Sequence, residues 1–308
     1  MNHPHISVVS PVYMAEEIVP ELVSRIKKSV TKITDNFEII LVEDGGTDKS
    51  WEVIEDQARK NKEIIGIKLS RNFGQHYAIT AGLDHVKGEW IIVMDCDLQD
   101  QPEEIINLYN VSMKGYDLVL AKRINRKDGF LKRAYSRVFY KVLSYLTGTR
   151  IDENIANYGI YSKRVINCLK IMREPIRYFP TMIKWVGFKS MDIEVKHSER
   201  LTGKTSYTFR KLFRLATDII LAYSDKPIRI IVKTGMIISF FSFLFALIMF
   251  IRWLKGDIVV MGYASMIISI WFLSGIIIST LGMVGLYVGK TFEGVKNRPI
   301  YIIEEITR

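Results

Sequence analysis

In "WIIVMDCDLQDQPEEI", residues 90–105, a near-continuous apolar run passes straight into Asp95-Cys96-Asp97, with a further carboxylate at Asp100. Successive side chains of a strand alternate faces, so a strand over Trp90 to Met94 is expected to bring Asp95 and Asp97 out on one side, one pleat apart. Two like charges at the end of a buried strand can share a divalent cation, which offsets their repulsion. Mg²⁺ prefers oxygen ligands and commonly takes one or two carboxylates together with substrate phosphates and water. A cation there would neutralise charge on a departing diphosphate. Asp-x-Asp alone says little, because acidic pairs in loops are common and usually just solvated; the strand end gives it weight.

A second acidic stretch has the same form. "EIILVEDGGTDKSW" puts Glu43, Asp44 and a pair of glycines directly after an apolar strand. A carboxylate in that place can accept hydrogen bonds from a base or a ribose, and glycines let the backbone approach a ligand closely. A plain strand-to-helix turn, with Thr47 or Asp48 capping the helix, accounts for the rest of the stretch. Asp44 is the better candidate for ligand contact.

Both acidic ends need a scaffold that brings them together. Ile6 to Val12, Phe37 to Val42, Ile64 to Leu69, Trp90 to Met94 and Asp117 to Ala121 read as strands, rich in Val, Ile and Leu. Helical stretches lie between them, Glu17 to Val30 and Thr47 to Arg59 among them, and Gln101-Pro102 opens another. Alternating strands and helices imply an α/β domain with a mostly parallel sheet, in which ligands bind beyond the carboxyl ends of the strands.

The last quarter of the chain has a different composition. Thr234 to Ile251 carries no charge, and neither does Ile258 to Gly289. A bilayer crossing needs about 20 predominantly apolar residues, so both stretches are expected to be transmembrane helices. A buried helix of a soluble domain would suit one such segment, but not two in tandem with the second this long. Lys226, Arg229 and Lys233 precede the first, while Lys290, Lys296 and Arg298 follow the second, which places both ends in the cytoplasm. Arg252 and Lys255 in the connecting loop run against that bias.

Between sheet and spans lie two basic segments. Residues 122–150 hold nine Lys or Arg against one acid, Asp128, and residues 196–214 hold six against Glu199. Aromatic residues, Phe130, Tyr135, Phe139 and Tyr207 among them, are interleaved. Such segments suit amphipathic helices on an anionic membrane surface. Their adjacency to two spans favours the membrane over nucleic acid as the partner of this 308-residue chain of formal charge +10. Its two cysteines, Cys96 and Cys168, are too few for a disulfide framework and lack metal-ligand spacing. The N-terminal "MNHPHISVVSPVY" does not read as a secretory leader.

The motifs "SVVSPVY", "VEDGGTDKS", "SRNFGQHYAITAGLDHVKGEWIIVMDCDLQDQPEEI" and "AKRINRKDG" resemble, in order and spacing, the bacterial polyprenyl-phosphate glycosyltransferases of glycosyltransferase family 2, relatives of dolichyl-phosphate mannose synthase. "ERLTGKTSYTFRKLFRLATDIILAYSDKPIRI" and "GLYVGKTFEGVKNRPIYIIEE" extend the resemblance over nearly the whole chain. It implies a GT-A domain that transfers a sugar, with inversion, from a nucleotide sugar to a lipid phosphate. The domain order expected is a nucleotide-sugar-binding part at 1–125 and an acceptor-binding, juxtamembrane part at 126–226. Two transmembrane helices at 227–290 and a cytoplasmic tail at 291–308 complete it.

Carried over by position, Pro11 and Tyr13 resemble the family's nucleotide-pocket wall and Asp44 its base-binding acid. Asp95 and Asp97 resemble its metal and diphosphate site, implying Mg²⁺ or Mn²⁺, and Gln99 lies where donor sugar and acceptor meet. Arg123, Arg133 and Ser136 resemble the residues that receive the acceptor phosphate, an Arg fork matching phosphate oxygens geometrically. Core packing would also explain Tyr13, and a surface charge Arg133.

There are departures. Met14 stands where the family usually has Asn, and Gly46 where it has Ser. In "IDENIANYGIYSKRVI", Asn154 and Asn157 occupy two Asp positions and Gly159 an Arg position, which removes the usual base. A phosphomonoester has a second pKa near 6 and is largely dianionic at neutral pH, so the acceptor needs no base; Asn157 would orient it, with Asp152 or Glu153 as displaced acids.

The expectation is therefore an integral protein of the bacterial inner membrane, its catalytic domain and C-terminus cytoplasmic, moving a sugar from a UDP-sugar to undecaprenyl phosphate. A family 2 transferase acting on another membrane-linked glycan is one alternative. A catalytically silent nucleotide-sugar-binding scaffold is another, which retention of Asp44, Asp95, Asp97 and the arginines argues against. The sequence leaves the sugar and any homo-oligomer open.

Overall fold

The computed structural model describes residues 4–123, 145–146, 155–195, 220, 224–255 and 262–307. The chain divides into two compact units, residues 1–144, 149–208 and 298–308 in the first and residues 145–148 and 209–297 in the second.

The first unit is built on an eight-stranded sheet. Its strands are β1 (Ile6–Val12), β2 (Phe37–Glu43), β3 (Ile64–Leu69), β4 (Trp90–Val93), β5 (Leu118–Arg123), β6 (Ile155–Ser162), β7 (Ser190–Val195) and β8 (Ile303–Ile306). They lie in the order β7-β5-β6-β4-β1-β2-β3-β8. The pairs β1–β2, β1–β4, β2–β3 and β5–β7 are parallel, whereas β6 runs antiparallel to both β4 and β5 and β8 antiparallel to β3. The mostly parallel α/β sheet expected from the alternating pattern is present.

The central strands are buried on both faces, which is why they read as continuous apolar runs. On one face Ile6, Val8, Ile39, Leu41 and Ile92 pack with helices α1 (Val19–Val30), α2 (Ser50–Lys60) and α4 (Ile105–Ser112). Helix α1 buries Val19, Leu22, Val23, Ile26 and Val30, a stripe of 3.6-residue period. The other face takes α3 (Gln75–His85), whose Ala78, Ala81 and Gly82 are small enough for close approach. A Cβ at Gly82 would lie 2.4 Å from the Val9 side chain. Helices α5 (Lys163–Ile171) and α6 (Phe179–Trp185), with a 3₁₀ turn at Pro102–Glu104 leading into α4, complete the described helices of this unit.

The tail beyond residue 297 joins this sheet instead of trailing from it. Besides the β8 ladder, Ser70 N–H donates to Ile302 O at 3.0 Å and Gly66 N–H to Thr307 Oγ1 at 2.7 Å. Tyr301 donates its hydroxyl to Asp84 Oδ2 at 2.6 Å, and Arg173 grips both oxygens of the same carboxylate. A tail beginning at 291 is what the apolar run alone suggests; pairing along an open sheet edge is a long-range event that leaves no local period.

The second unit holds α7 (Lys226–Leu254) and α8 (Tyr263–Val295). Within them Lys226–Phe245 and Ser269–Val295, each of mean hydropathy 1.8, are long and apolar enough to cross a membrane. Phe240, Phe243, Trp271, Phe272 and Ile278 are among the large apolar side chains these helices leave exposed, unlike a soluble core helix, which buries such groups. Helix α7 starts earlier than the uncharged stretch predicts, because Lys226, Arg229 and Lys233 continue the helical hydrogen bonding; Arg229 pairs with Asp225 one turn back.

Candidate active site

Strand β1 outruns its neighbour. Its ladder with β4 ends at Val9↔Val93, with Met94 N–H donating to Val9 O at 3.0 Å, whereas its ladder with β2 continues to Val12↔Glu43. Pro11 therefore faces a side where β4 has ended, and its missing N–H leaves no donor unpaired there. The exposed Tyr13 (52%) directly follows β1, and its backbone N–H holds the Cys96 thiol.

The Asp95-Cys96-Asp97 motif differs from its expected form. Strand β4 stops at Val93, one residue before the predicted Met94, and the motif lies on a turn, not a pleat. The ladder ends because β1 diverges to pair with β2 alone. Leu98 closes the turn with φ 56°, a left-handed conformation that costs a non-glycine residue about 1–2 kcal/mol. Its side chain, 2% exposed, anchors the turn in the core. Cys96 also packs against the core, and burial next to Asp95 pushes its thiol up to about 12, so it stays a neutral packing group.

Asp95 and Asp97 are half-buried. Asp95 Oδ1 accepts from the side-chain amide of Gln75 at 2.6 Å and, at the longer distance of 3.5 Å, from that of Asn157 on β6. Asp97 Oδ1 accepts from the backbone N–H of Gln99 at 3.2 Å. The structure thus brings Asp95, Asp97, Gln99 and Asn157 together. Gln75 is the residue that sequence reasoning missed; its place directly after the Gly74 turn, opening a helix at a strand's carboxyl end, is the signal that points to it.

Glu43 and Asp44 form a closed counterpart. Asp44 is 3% exposed, and its two oxygens accept from the backbone N–H groups of Phe73 at 2.8 Å and Gly74 at 2.9 Å. Glu43 is 2% exposed and accepts from the N–H groups of Gly45 and Gly46. Burial pushes both carboxyls above their ordinary range, and the amide hydrogen bonds only partly counter it. Gly45 has φ 62°, and a Cβ there would lie 2.2 Å from backbone atoms of Arg71 and Asn72, so only glycine lets the two loops touch.

Helix α2 starts at Ser50 with Lys49 at its N-cap, not Thr47 or Asp48. Asp48 nonetheless holds the start, accepting from Ser50 N–H at 3.3 Å and Glu16 N–H at 3.2 Å, while Glu16 accepts from Lys49 N–H. Met14, where the resemblance leads to Asn, has φ 51°, which Asn tolerates better. A Cβ at Gly159 would lie 2.8 Å from the Tyr161 hydroxyl and the Val119 carbonyl, which excludes the family's Arg there. Arg123 ends β5. Arg133, Ser136, Asp152, Glu153 and Asn154 lie outside the described residues, as do most of the two basic segments.

Two hard-oxygen carboxylates on one turn suit Mg²⁺ or Mn²⁺. The described residues contain no group of three or more His, Cys, Asp or Glu that would hold a metal ion. Asp95 and Asp97 thus fit a cation whose remaining ligands come from phosphate and water.

The family described as "Glycosyl transferase family 2" matches residues 7–170. The "Prophage bactoprenol glucosyl transferase homolog" of Escherichia coli (strain K12) is 34% identical over 304 residues, covering 98% of this chain and 99% of that protein. The "Undecaprenyl-phosphate 4-deoxy-4-formamido-L-arabinose transferase" of Aeromonas hydrophila is 31% identical over 306 residues, covering 98% and 94%. Among solved structures, glucosyl-3-phosphoglycerate synthase from Mycobacterium tuberculosis, in complex with Mn²⁺, UDP and phosphoglyceric acid, superposes with a TM-score of 0.53 at 15% identity, covering 71% of this chain and 77% of that one. That last likeness bears on the fold, which is GT-A.

Proposed function

This chain belongs to glycosyl transferase family 2, and from that premise we propose that it moves a sugar from a UDP-sugar to polyprenyl phosphate, with inversion, at the cytoplasmic face of a bacterial inner membrane. The observation that carries the reading is the half-buried Asp95–Asp97 turn at the carboxyl end of β4, in a chain that also has two membrane-length apolar helices. The names of the bactoprenol and undecaprenyl-phosphate relatives support the acceptor class.

Pro11 and Tyr13 take the nucleoside side of the donor, where Asp44 acts by holding the Phe73–Gly74 backbone, and Asp95 and Asp97 the diphosphate side, where they would hold Mg²⁺ or Mn²⁺. When bound, the ion supplies Lewis-acid neutralisation of the diphosphate charge. Gln99 lies toward the sugar, and Arg123, Arg133 and Ser136 receive the acceptor phosphate. An acceptor phosphate oxygen forms the new bond to the anomeric carbon as the bond from that carbon to the diphosphate oxygen breaks. A dianionic acceptor needs no protein base, so Asn157 orients it without taking a proton. Most of the rate enhancement then comes from positioning and charge neutralisation.

Purified full-length protein, undecaprenyl phosphate and a panel of radiolabelled nucleotide sugars test the reading. One UDP-sugar is expected to give labelled lipid, and EDTA to abolish it; no labelled lipid from any donor, with the metal bound, overturns the assignment. The rate is expected to rise with pH to a plateau above about 6, and a phosphonate acceptor of higher pKa should carry that midpoint upward. An unmoved midpoint, with Asp152→Asn or Glu153→Gln inactive, would identify a protein base.

A further inference from the structure

The segment Arg71–Gln75 touches both acidic strand ends. Asp44 accepts from the N–H groups of Phe73 and Gly74, and the next residue, Gln75, donates from Nε2 to Asp95 Oδ1 at 2.6 Å. Gly74 makes the turn between these contacts with φ 108°, a conformation open to glycine and costly for other residues. The segment is fixed from behind by its backbone packing on Gly45 and by the Arg71 guanidinium, 4.0 Å from the centre of the Phe73 ring. Three consecutive residues thus hold two carboxylates from different strands.

The chemistry of residue 75 matters. A Lys or Arg there would pair with Asp95 and oppose the arrival of a cation, whereas a neutral amide donor fixes the plane of the carboxylate without neutralising it. The Asn157 amide, at 3.5 Å, holds the same oxygen more weakly than Gln75 does. Outer groups that orient a metal-binding carboxylate typically contribute about 10–100-fold to metal affinity.

We propose that Gln75 is a positioning residue that holds the Asp95 carboxylate ready for a divalent cation, and that Phe73 and Gly74 tie this orientation to Asp44. The inference rests on the metal reading of Asp95 and Asp97. Mn²⁺ alone, titrated into full-length protein in nanodiscs without donor and followed by the EPR signal of the free ion, tests it. Asp97→Asn is expected to lose binding. Gln75→Leu is expected to bind at least about tenfold more weakly with an unchanged thermal midpoint, and Gln75→Ala, which introduces no bulk, to do the same. Asp44→Asn should weaken Mn²⁺ binding in the wild-type background and add nothing in the Gln75→Leu background. Wild-type affinity in both Gln75 variants overturns the positioning role and leaves the metal site standing. Losses that simply add in the double variant overturn the tie to Asp44. Wild-type protein that binds no Mn²⁺ overturns the metal reading and the positioning role together.

Discussion

The two acidic strand ends have nearly the same sequence form, an apolar run followed by carboxylates, but the fold completes them differently. After β2, Glu43 and Asp44 are almost fully buried and accept hydrogen bonds from the backbone amides of Gly45, Gly46, Phe73 and Gly74. After β4, Asp95 is half-buried and held by side-chain amides of Gln75 and Asn157. Backbone donors cannot leave without moving the chain, whereas a side-chain amide swings away by rotating about its own bonds. The β2 end is therefore a joint, whereas at the β4 end, where Asp97 also accepts from the Gln99 N–H, Asp95 rests on side chains, and we read that end as the receptor. The left-handed turns match this division: Gly45 makes one without strain at the joint, and Leu98 makes the other at the receptor under strain, as is common at functional sites.

Asp97→Asn should break the receptor and spare the fold. Turnover is expected to fall by at least about 100-fold, with circular dichroism and thermal midpoint unchanged, since the substitution removes a charge and almost no volume. Near-normal turnover at saturating donor and metal would erase the contrast between the two ends.

Gly45→Ala should do the reverse. Its Cβ would overlap backbone of Arg71 and Asn72 at a positive φ, so a stability loss of about 2–3 kcal/mol is expected from denaturant unfolding. Asp44→Asn is milder, because Asn keeps one acceptor oxygen and fails only one of the two amides; about 1–2 kcal/mol is expected. A fully stable Asp44→Asn would mean that the β2 end is no joint.

The smallest effect is a pH dependence. The folded-state carboxyl of Asp44 lies above its ordinary value, chiefly through burial. The folded protein then binds the proton more tightly than the unfolded chain, so this contribution is fully present below the ordinary carboxylate pKa and is lost as pH rises through the raised one. The stability advantage of wild type over Asp44→Asn should shrink as pH rises across that window; an advantage that grows would show that the amide hydrogen bonds outweigh burial.

The amino-acid order alone determined the elements whose signal is local. Apolar runs mark β1 to β4 because strands covered on both faces need no polar residue, and the uncharged stretches mark α7 and α8 because length and hydropathy are properties of a single segment. Together with the family resemblance it also named Asp95, Asp97, Gln99 and Asn157 as candidate site residues, which the fold brings together. The tertiary structure decided what depends on partners distant in sequence. It put the Asp95–Asp97 turn beyond the strand by parting β1 from β4, sealed Asp44 behind the Phe73–Gly74 amides, and brought Gln75 to Asp95 across 20 residues. It also folded Ile303–Ile306 onto β3. A carboxylate's type fixes what it can bind, but only the backbone packed around it decides whether its oxygens are already taken.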